Sequence, residues 1–342
     1  MKNEVNIICT MGPACQHISV LRQMAEEGMN VVRLNFSHGT HVEHAKFVKT
    51  VEALQKEGYN IKILLDLEGY QIRIGNLGPD GGIQINEGQT VYLAKNPDKL
   101  DRRCVIPLEY ASSFHDILVG VDIYIDDGHI LLKSVKTHDD YIKSKVIVPG
   151  FLKTNKGVNI PEIKLKFDVF TPKDQRDILF GIEHQVDYIA QSFVRNSDDV
   201  KLVLNFLKEQ KHECKVIAKI ENREGIDNIK AIMNVADGIM IARGDMGVSI
   251  PIYQVPIIQK VITRHCNEAG KMVITATQML ESMTHSARPT RAEVADVANA
   301  VLDGTNSVML SGETAIGSYP VNVVRMMKSI VEYTKQERNQ VL

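Results

Sequence analysis

The stretch Val216-Ile217-Ala218-Lys219-Ile220-Glu221-Asn222 decides the reading of the whole chain. It opens as an apolar run of strand length and ends with a lysine and a glutamate on alternate positions. The period-2 geometry of a strand puts Lys219 and Glu221 on one face, ~7 Å apart along it. A cation beside a metal-ligand type suits chemistry on a phosphate: the ammonium neutralises a phosphoryl group and the carboxylate holds a divalent ion. A second carboxylate, Asp245, stands in a similar place in Ile241-Ala242-Arg243-Gly244-Asp245-Met246-Gly247. Lys219, Glu221 and Asp245 are the expected reaction centre.

Outward from that stretch, apolar runs of the same kind recur at 5–10, 30–36, 62–66, 186–193, 238–242, 272–277 and 307–310. With 215–220 they make eight. Most are near-continuously apolar, as strands covered on both faces are. Helical patterns fit between them. Ile18, Leu21 and Ala25 recur at helical spacing before Gly28, and Phe47, Val51 and Leu54 do so before Gly58. Thr171-Pro172-Lys173-Asp174 offers a cap, a proline at the first helical position and an acid three residues after the cap. Thr290-Arg291-Ala292-Glu293 is a second capping box. Strand–helix alternation calls for a parallel sheet. Eight units favour an α/β fold closed as a (β/α)8 TIM barrel.

One interval breaks the rhythm. Between Asp66 and Thr171 the strand candidates are short, at 83–85, 90–93, 123–125, 130–135 and 141–148, and Asp127-Gly128 is a hairpin turn signal. A small β-barrel lid domain inserted after strand three is expected at 75–161. Residues 1–74 and 162–342 then form the barrel. Insertions after a strand emerge at the barrel's C-terminal face, where active sites also sit, so the insert is expected to hang over the site.

Composition narrows the function classes. A net charge of −2 gives no global attraction to nucleic acid or to an anionic membrane, so an anion site must be a local cluster of Lys and Arg. Five scattered cysteines without a CxxC argue against a disulfide framework or a zinc site. No apolar run reaches membrane-spanning length, and the first apolar piece is too short for a leader, which points to the cytoplasm.

Polar residues at the strand ends carry the functional argument. Arg33, Asn35 and Ser37 close strand two. Asp66 closes strand three, with Arg73 beyond it. Ser192 closes strand four, Asp245 follows strand six, Thr277 closes strand seven, and Ser311 with Glu313 follow strand eight. Each alone has a bland explanation: a solvated lysine, a turn, a helix cap. A barrel gathers all of them at one mouth, and accident does not readily place three cations and several acids and hydroxyls there. The functional reading leads for Arg33, Asp66, Lys219, Glu221, Asp245 and Thr277, and less strongly for Arg73 and Asn35. For Ser192, Ser311, Glu313 and Asp127 the two readings balance. His38, His41 and His44 invite a metal reading. The preferred alternative puts His41 and His44 on an exposed helix face, leaving only His38 near the site. Arg243-Gly244-Asp245-Met246-Gly247 is no Walker or dinucleotide motif; its glycines let backbone N–H groups approach an anion. Lys153 and Lys156 at the insert's return suit a nucleotide phosphate or an ordinary basic hinge.

These motifs resemble those of the pyruvate kinase family, from Cys9-Thr10-Met11-Gly12-Pro13-Ala14 to Leu310-Ser311-Gly312-Glu313-Thr314-Ala315. The specific ones are Arg33-Leu34-Asn35-Phe36-Ser37-His38-Gly39, Lys219-Ile220-Glu221-Asn222, Ala242-Arg243-Gly244-Asp245, Ala276-Thr277-Gln278-Met279-Leu280-Glu281-Ser282-Met283 and Arg288-Pro289-Thr290-Arg291-Ala292-Glu293. The resemblance implies phosphoryl transfer from phosphoenolpyruvate to ADP, giving pyruvate and ATP, in glycolysis. It implies that Lys219 stabilises the moving phosphoryl group and Arg33 binds substrate phosphate. Glu221 and Asp245 then hold Mg2+ or Mn2+. Gly244, Asp245 and Thr277 line the substrate, and Thr277 and Ser311 flank the route of enolate protonation. Asn35, His38, Arg73 and Lys156 lie toward the nucleotide. Asn35, Ser37, Asp66 and the carbonyl of Leu67 match the family's K+ site.

Three departures temper that reading. Gln71 supplies neither the acid that accompanies K+ dependence in the family nor the lysine that replaces the ion. Together with Leu67 and Ile74 it puts K+ in doubt. Glu68 replaces a lysine and adds negative charge near the mouth. The chain stops soon after helix eight, so the C-terminal regulatory domain is expected to be absent, sugar-phosphate allostery with it, and a homodimer through barrel faces is expected. The competing readings are a catalytically weak paralogue that binds phosphorylated ligands as a sensor or partner protein, and a metal-dependent lyase or aldolase acting on an enolate.

Overall fold

The structure, a computed structural model, describes residues 4–100, 102–110, 113–126, 128–161 and 168–341. Asp127 of the expected hairpin turn lies outside the described residues. The chain divides into two compact units. The first comprises Met1–Gly69, Val169–Gly244 and Tyr253–Leu342; the second comprises Tyr70–Asp168 and Asp245–Ile252.

The first unit contains strands β1 (Asn6–Thr10), β2 (Met29–Asn35) and β3 (Lys62–Asp66). After the second unit's strands, numbered β4 to β12 below, come β13 (Tyr188–Gln191), β14 (Lys215–Ile220), β15 (Gly238–Ala242), β16 (Met272–Ala276) and β17 (Ser307–Leu310). All eight pair in parallel and close in the order β1-β17-β16-β15-β14-β13-β3-β2. The helices are α1 (Ile18–Glu26), α2 (His41–Lys56), α3 (Pro172–Glu183), α4 (Ser197–Glu209), α5 (Arg223–Asp227), α6 (Ile229–Val235), α7 (Arg243–Ser249), α8 (Val255–Glu268), α9 (Arg291–Leu302), α10 (Gly312–Ala315) and α11 (Pro320–Val341). Both expected capping boxes form: Thr171 with Asp174 starts α3, and Thr290 with Glu293 starts α9.

Strand periodicity positions the site. One buried cluster takes a residue from every strand, including Ile8, Val31, Leu64, Ile217, Met240 and Met309. This is the packed interior of the barrel. Side chains alternate across a strand, so two residues onward the chain returns to the same face. From Ile8, Val31, Leu64, Ala190, Ile217 and Met309 that step leads to Thr10, Arg33, Asp66, Ser192, Lys219 and Ser311. An apolar layer is therefore capped by a polar one at the C-terminal ends of the strands.

Three strands are shorter than the apolar runs suggested, β1 by its first residue alone. The run 186–193 yields β13 at Tyr188–Gln191, and 272–277 yields β16 ending at Ala276. Phe193 has φ +55° and Thr277 φ +68°, and an L-residue in that left-handed region cannot continue a strand. The expectation for His44 also fails. Its imidazole is buried, stacks on Phe36 at 4.2 Å and lies 2.9 Å from the carbonyl of His38. His41 is half exposed and sits 2.7 Å from Asp177. The apolar stripe of α2 is wide enough that one histidine falls inside it.

The second unit is all-β apart from short turns and part of α7. Its strands are β4 (Ile72–Ile74), β5 (Gly82–Ile85), β6 (Thr90–Ala94), β7 (Val105–Glu109), β8 (Asp122–Ile125), β9 (Ile130–Thr137), β10 (Tyr141–Val148), β11 (Gly150–Lys153) and β12 (Gly157–Asn159). Seven of them close a barrel in the order β10-β6-β7-β4-β12-β8-β9, and β5 pairs with β11. Alternate residues such as Leu93, Ile106, Ile123, Leu132 and Ile142 fill its core. Four of these strands have no counterpart among the sequence candidates. β4 and β12 have three residues each, β7 contains Pro107, and β11 begins on a glycine. Such segments give too little alternation to register as strands. Among the described residues, no helix is long and apolar enough to cross a membrane.

The layered interior sets a ranking of stabilities. Leu64→Ala, which empties a fully buried barrel position, is expected to cost about 2–5 kcal/mol. Thr171→Ala, which removes one cap, is expected to cost about 1 kcal/mol. Urea titrations followed at the helical circular dichroism band check the order, and a reversed order contradicts the layer argument.

Candidate active site

Asp66, at the end of β3, is 1% exposed and faces two cations. Its Oδ2 accepts from Arg33 Nε at 2.7 Å, and its Oδ1 lies 2.9 Å from Lys219 Nζ. Lys219 Nζ donates to Ser192 Oγ at 2.6 Å and lies 3.1 Å from Glu221 Oε1. Ser192 Oγ passes its own hydrogen to the carbonyl of Leu67 at 2.7 Å. Arg33 Nη1 donates to Thr10 Oγ1 at 3.0 Å, which donates to the carbonyl of Leu310 at 2.8 Å. Glu221 Oε2 accepts the Phe193 N–H at 2.6 Å. One buried network thus joins the ends of β1, β2, β3, β13, β14 and β17.

The network balances two cations against two carboxylates. Burial alone pushes the Asp66 carboxyl up, and the Lys219 and Arg33 cations overrule it, so its pKa falls below the ordinary 3.8. Asp66 Oδ1 and Glu221 Oε1 are buried at ion-pair distance from the Lys219 ammonium, with no other hydrogen-bond partner among the described residues. Backbone fixes one Glu221 oxygen, while the other faces the Lys219 ammonium with lone pairs to spare. That suits a carboxylate that ligates a hard cation.

A second network surrounds Thr277 in the same unit. Thr277 Oγ1 donates to the carbonyl of Ala276 at 2.7 Å and accepts the Gly244 N–H at 2.9 Å. Arg243 braces this turn from the start of α7. Its Nε donates to the carbonyl of Ala276 at 3.1 Å, its Nη2 to that of Thr277 at 2.5 Å, and its Nη1 to both carboxylate oxygens of Asp296 on α9 at 2.7 Å. Asp245 follows Gly244 in the first turn of α7 and is grouped with the second unit. Ser311 Oγ is buried without a hydrogen bond among the described residues.

The loop after β2 carries Asn35, Ser37 and His38. Asn35 is in register with Asp66, and Asn35 Oδ1 accepts the Ser37 N–H at 3.2 Å. Lys173 on α3 touches this loop: its Nζ donates to the carbonyl of Phe36 at 2.7 Å and lies 2.7 Å from Asp177 and 3.3 Å from Glu68. The charge of Glu68 is therefore met by a cation of the same unit. Within the second unit, Arg73 Nη1 donates to the carbonyl of Asn155 at 3.0 Å, and Lys156 Nζ pairs with Asp126 at 2.6 Å. The Gln71 side chain lies against Gly157.

The family described as Pyruvate kinase, barrel domain, matches residues 2–324. The chain belongs to this family. It is similar to the pyruvate kinase of Geobacillus stearothermophilus, with 46% identity over 98% of this chain and 58% of that one. It is also similar to those of Bacillus licheniformis (45%, over 98% and 58%) and of a Staphylococcus epidermidis strain (45%, over 96% and 56%). The chain therefore spans somewhat more than half the length of these curated relatives.

Within this pyruvate kinase barrel, two contributors, Thr10 and Lys173, escaped the sequence reading, and Ser192 was left undecided. Ser192 had an even balance because a serine after a strand is most often a cap. Its place two residues beyond an inward Ala190 was the available signal. Thr10 had the same signal two residues beyond Ile8. Lys173 was read only as part of a capping box, and nothing local to α3 pointed to the loop after β2.

Asp66 supplies a test. Removing its charge strands two buried cations, so Asp66→Asn is expected to cost about 3–5 kcal/mol at neutral pH. Its folded pKa lies below the unfolded one, so this contribution is fully present above pH 3.8 and is lost as pH falls through the folded value. Denaturant titrations of both proteins at neutral pH and at the acid limit of folding should show the gap narrowing on acidification.

Proposed function

We propose that this chain carries out the pyruvate kinase reaction, moving phosphoryl from phosphoenolpyruvate to ADP to give pyruvate and ATP. The observation that carries the reading is the buried Arg33–Asp66–Lys219–Glu221 network at the C-terminal end of the barrel. Phosphoryl transfer asks a protein mainly for position and charge neutralisation. At ~4 Å and an effective dielectric of about 20, each unit-charge pair is worth roughly 4 kcal/mol. Two repelling anions need several such pairs to meet.

In this reading Lys219 faces the transferring phosphoryl group and Arg33 the substrate phosphate. The Gly244 N–H and the Thr277 hydroxyl serve the carboxylate or the enolate, and Thr277 and Ser311 flank the path of the proton to carbon. Glu221 and Asp245 hold Mg2+ or Mn2+, and that ion when bound supplies positive charge against the phosphoryl oxygens. Asn35, His38, Arg73 and Lys156 take the nucleotide side. Asn35, Ser37, Asp66 and the Leu67 carbonyl are the K+ candidates. The glycolytic role goes with a cytoplasmic place and with a homodimer through barrel faces. Tyr253 at 76% and Ile257 at 63% exposure support that dimer.

A coupled assay for pyruvate with phosphoenolpyruvate, ADP and Mg2+ tests the reaction, and a chelator is expected to stop it until the ion is restored. Lys219→Met is expected to lower kcat by at least about 10²-fold, the scale for a lost charge-stabilising donor. KM should change less, and a thermal melt checks the fold. Wild-type turnover in Lys219→Met overturns the assignment.

A further inference from the structure

The turn that aims Thr277 is strained. Thr277 and Gln278 stand in succession at φ +68° and +52°. Each non-glycine residue held there costs about 1–3 kcal/mol and persists only where its surroundings over-determine it. Arg243 and Gly244 hold the front of the turn. The back is held by one carboxylate. Glu313 Oε1 accepts the Leu280 N–H at 3.1 Å, and Glu313 Oε2 accepts the Ser311 N–H at 2.6 Å.

That carboxylate is unusual in its setting. Glu313 is fully buried, and among the described residues it makes no ion pair. A buried carboxylate without a cation is costly, whereas a neutral acceptor would satisfy one N–H more cheaply. What a neutral acceptor cannot do is accept with both ends: a glutamine has one carbonyl oxygen and turns an NH2 donor toward the other N–H. The two N–H groups belong to different strand ends. Leu280 lies three residues after Thr277, following β16, and Ser311 directly follows β17.

We propose that Glu313 is a positioning residue that locks the loops after β16 and β17 to each other. It thereby sets the Thr277 hydroxyl and the Ser311 side chain at the path of the proton to the enolate. It touches neither substrate nor metal. The assignment of that path rests on the functional reading above; the clamp itself does not.

Glu313→Gln tests the proposal with two separate readouts. The first needs no activity: amide exchange of the segment 277–283 is expected to quicken by at least about tenfold as the local opening becomes easier. Unchanged exchange overturns the clamp. The second follows the chemistry. Misplacement of this order costs about tenfold to 10²-fold in rate, so kcat and the exchange of pyruvate methyl protons in D2O should both fall by that factor. KM for phosphoenolpyruvate should stay within about twofold, because the binding cations are untouched. An unchanged kcat, or a loss confined to KM, overturns the positioning role. If the wild-type protein makes no pyruvate, the functional reading fails and the amide exchange alone decides the clamp. Should Glu313→Gln not fold, Glu313→Asp keeps both acceptors on a shorter arm, and the same two readouts are expected to move in the same direction by less.

Discussion

Asp66 is the point on which the site depends. Arg33 and Lys219 both come from interior positions of a barrel whose next layer down is aliphatic. Neither would be tolerated there alone, since the desolvation of a buried ion costs several kcal/mol unless an opposite charge sits beside it. One carboxylate with an oxygen for each cation meets that requirement, and Glu221 balances the remaining charge. The cations are thus fixed in place before any anion arrives. A preorganised charge does not have to reorganise when the reaction needs it, which is where electrostatic catalysis gains most.

The fold makes this arrangement possible through a simple periodicity. A step of two along each parallel strand moves from the apolar layer to the polar one without changing face. The apolar layer seals the barrel below the charges, so the ion pairs act in a medium less polar than water. The network also crosses strands that are far apart in sequence: Thr10 reaches Leu310, and Ser192 links Lys219 to Leu67. Mispairing a strand would strand a charge, so the polar layer also penalises wrong registers.

How much of this was legible in the sequence follows from the same periodicity. The eight barrel strands were visible because strands covered on both faces are nearly continuous in apolar residues, and four of the eight match their runs residue for residue, at Lys62–Asp66, Lys215–Ile220, Gly238–Ala242 and Ser307–Leu310. Arg33, Asp66, Lys219, Glu221 and Thr277 stood out as polar residues at strand ends. The small barrel was less legible because its three-residue strands and the proline in β7 carry almost no pattern. His44 misled because a histidine at a helical position reads as polar, whereas stacking on Phe36 and a bond to a loop carbonyl make it a core residue. Lys173 was hidden and Ser192 left undecided because their partners come from remote loops, and no local spacing encodes a contact of that kind.

The two networks of the barrel divide the chemistry between them. Around Asp66 the interactions are mainly ionic, with the Ser192 and Thr10 hydroxyls tied to backbone carbonyls. They can stabilise charge on a phosphoryl group. Around Thr277 the pattern is reversed. Arg243 directs its donors at two backbone carbonyls and at Asp296, so its charge shapes the turn. What remains at the centre is a hydroxyl on a strained backbone, fixed by N–H and carbonyl partners. A hydroxyl so held suits a proton transfer, for which a strong field would be a hindrance. The proposed reaction, which moves a phosphoryl group and then protonates a carbon, would use both environments.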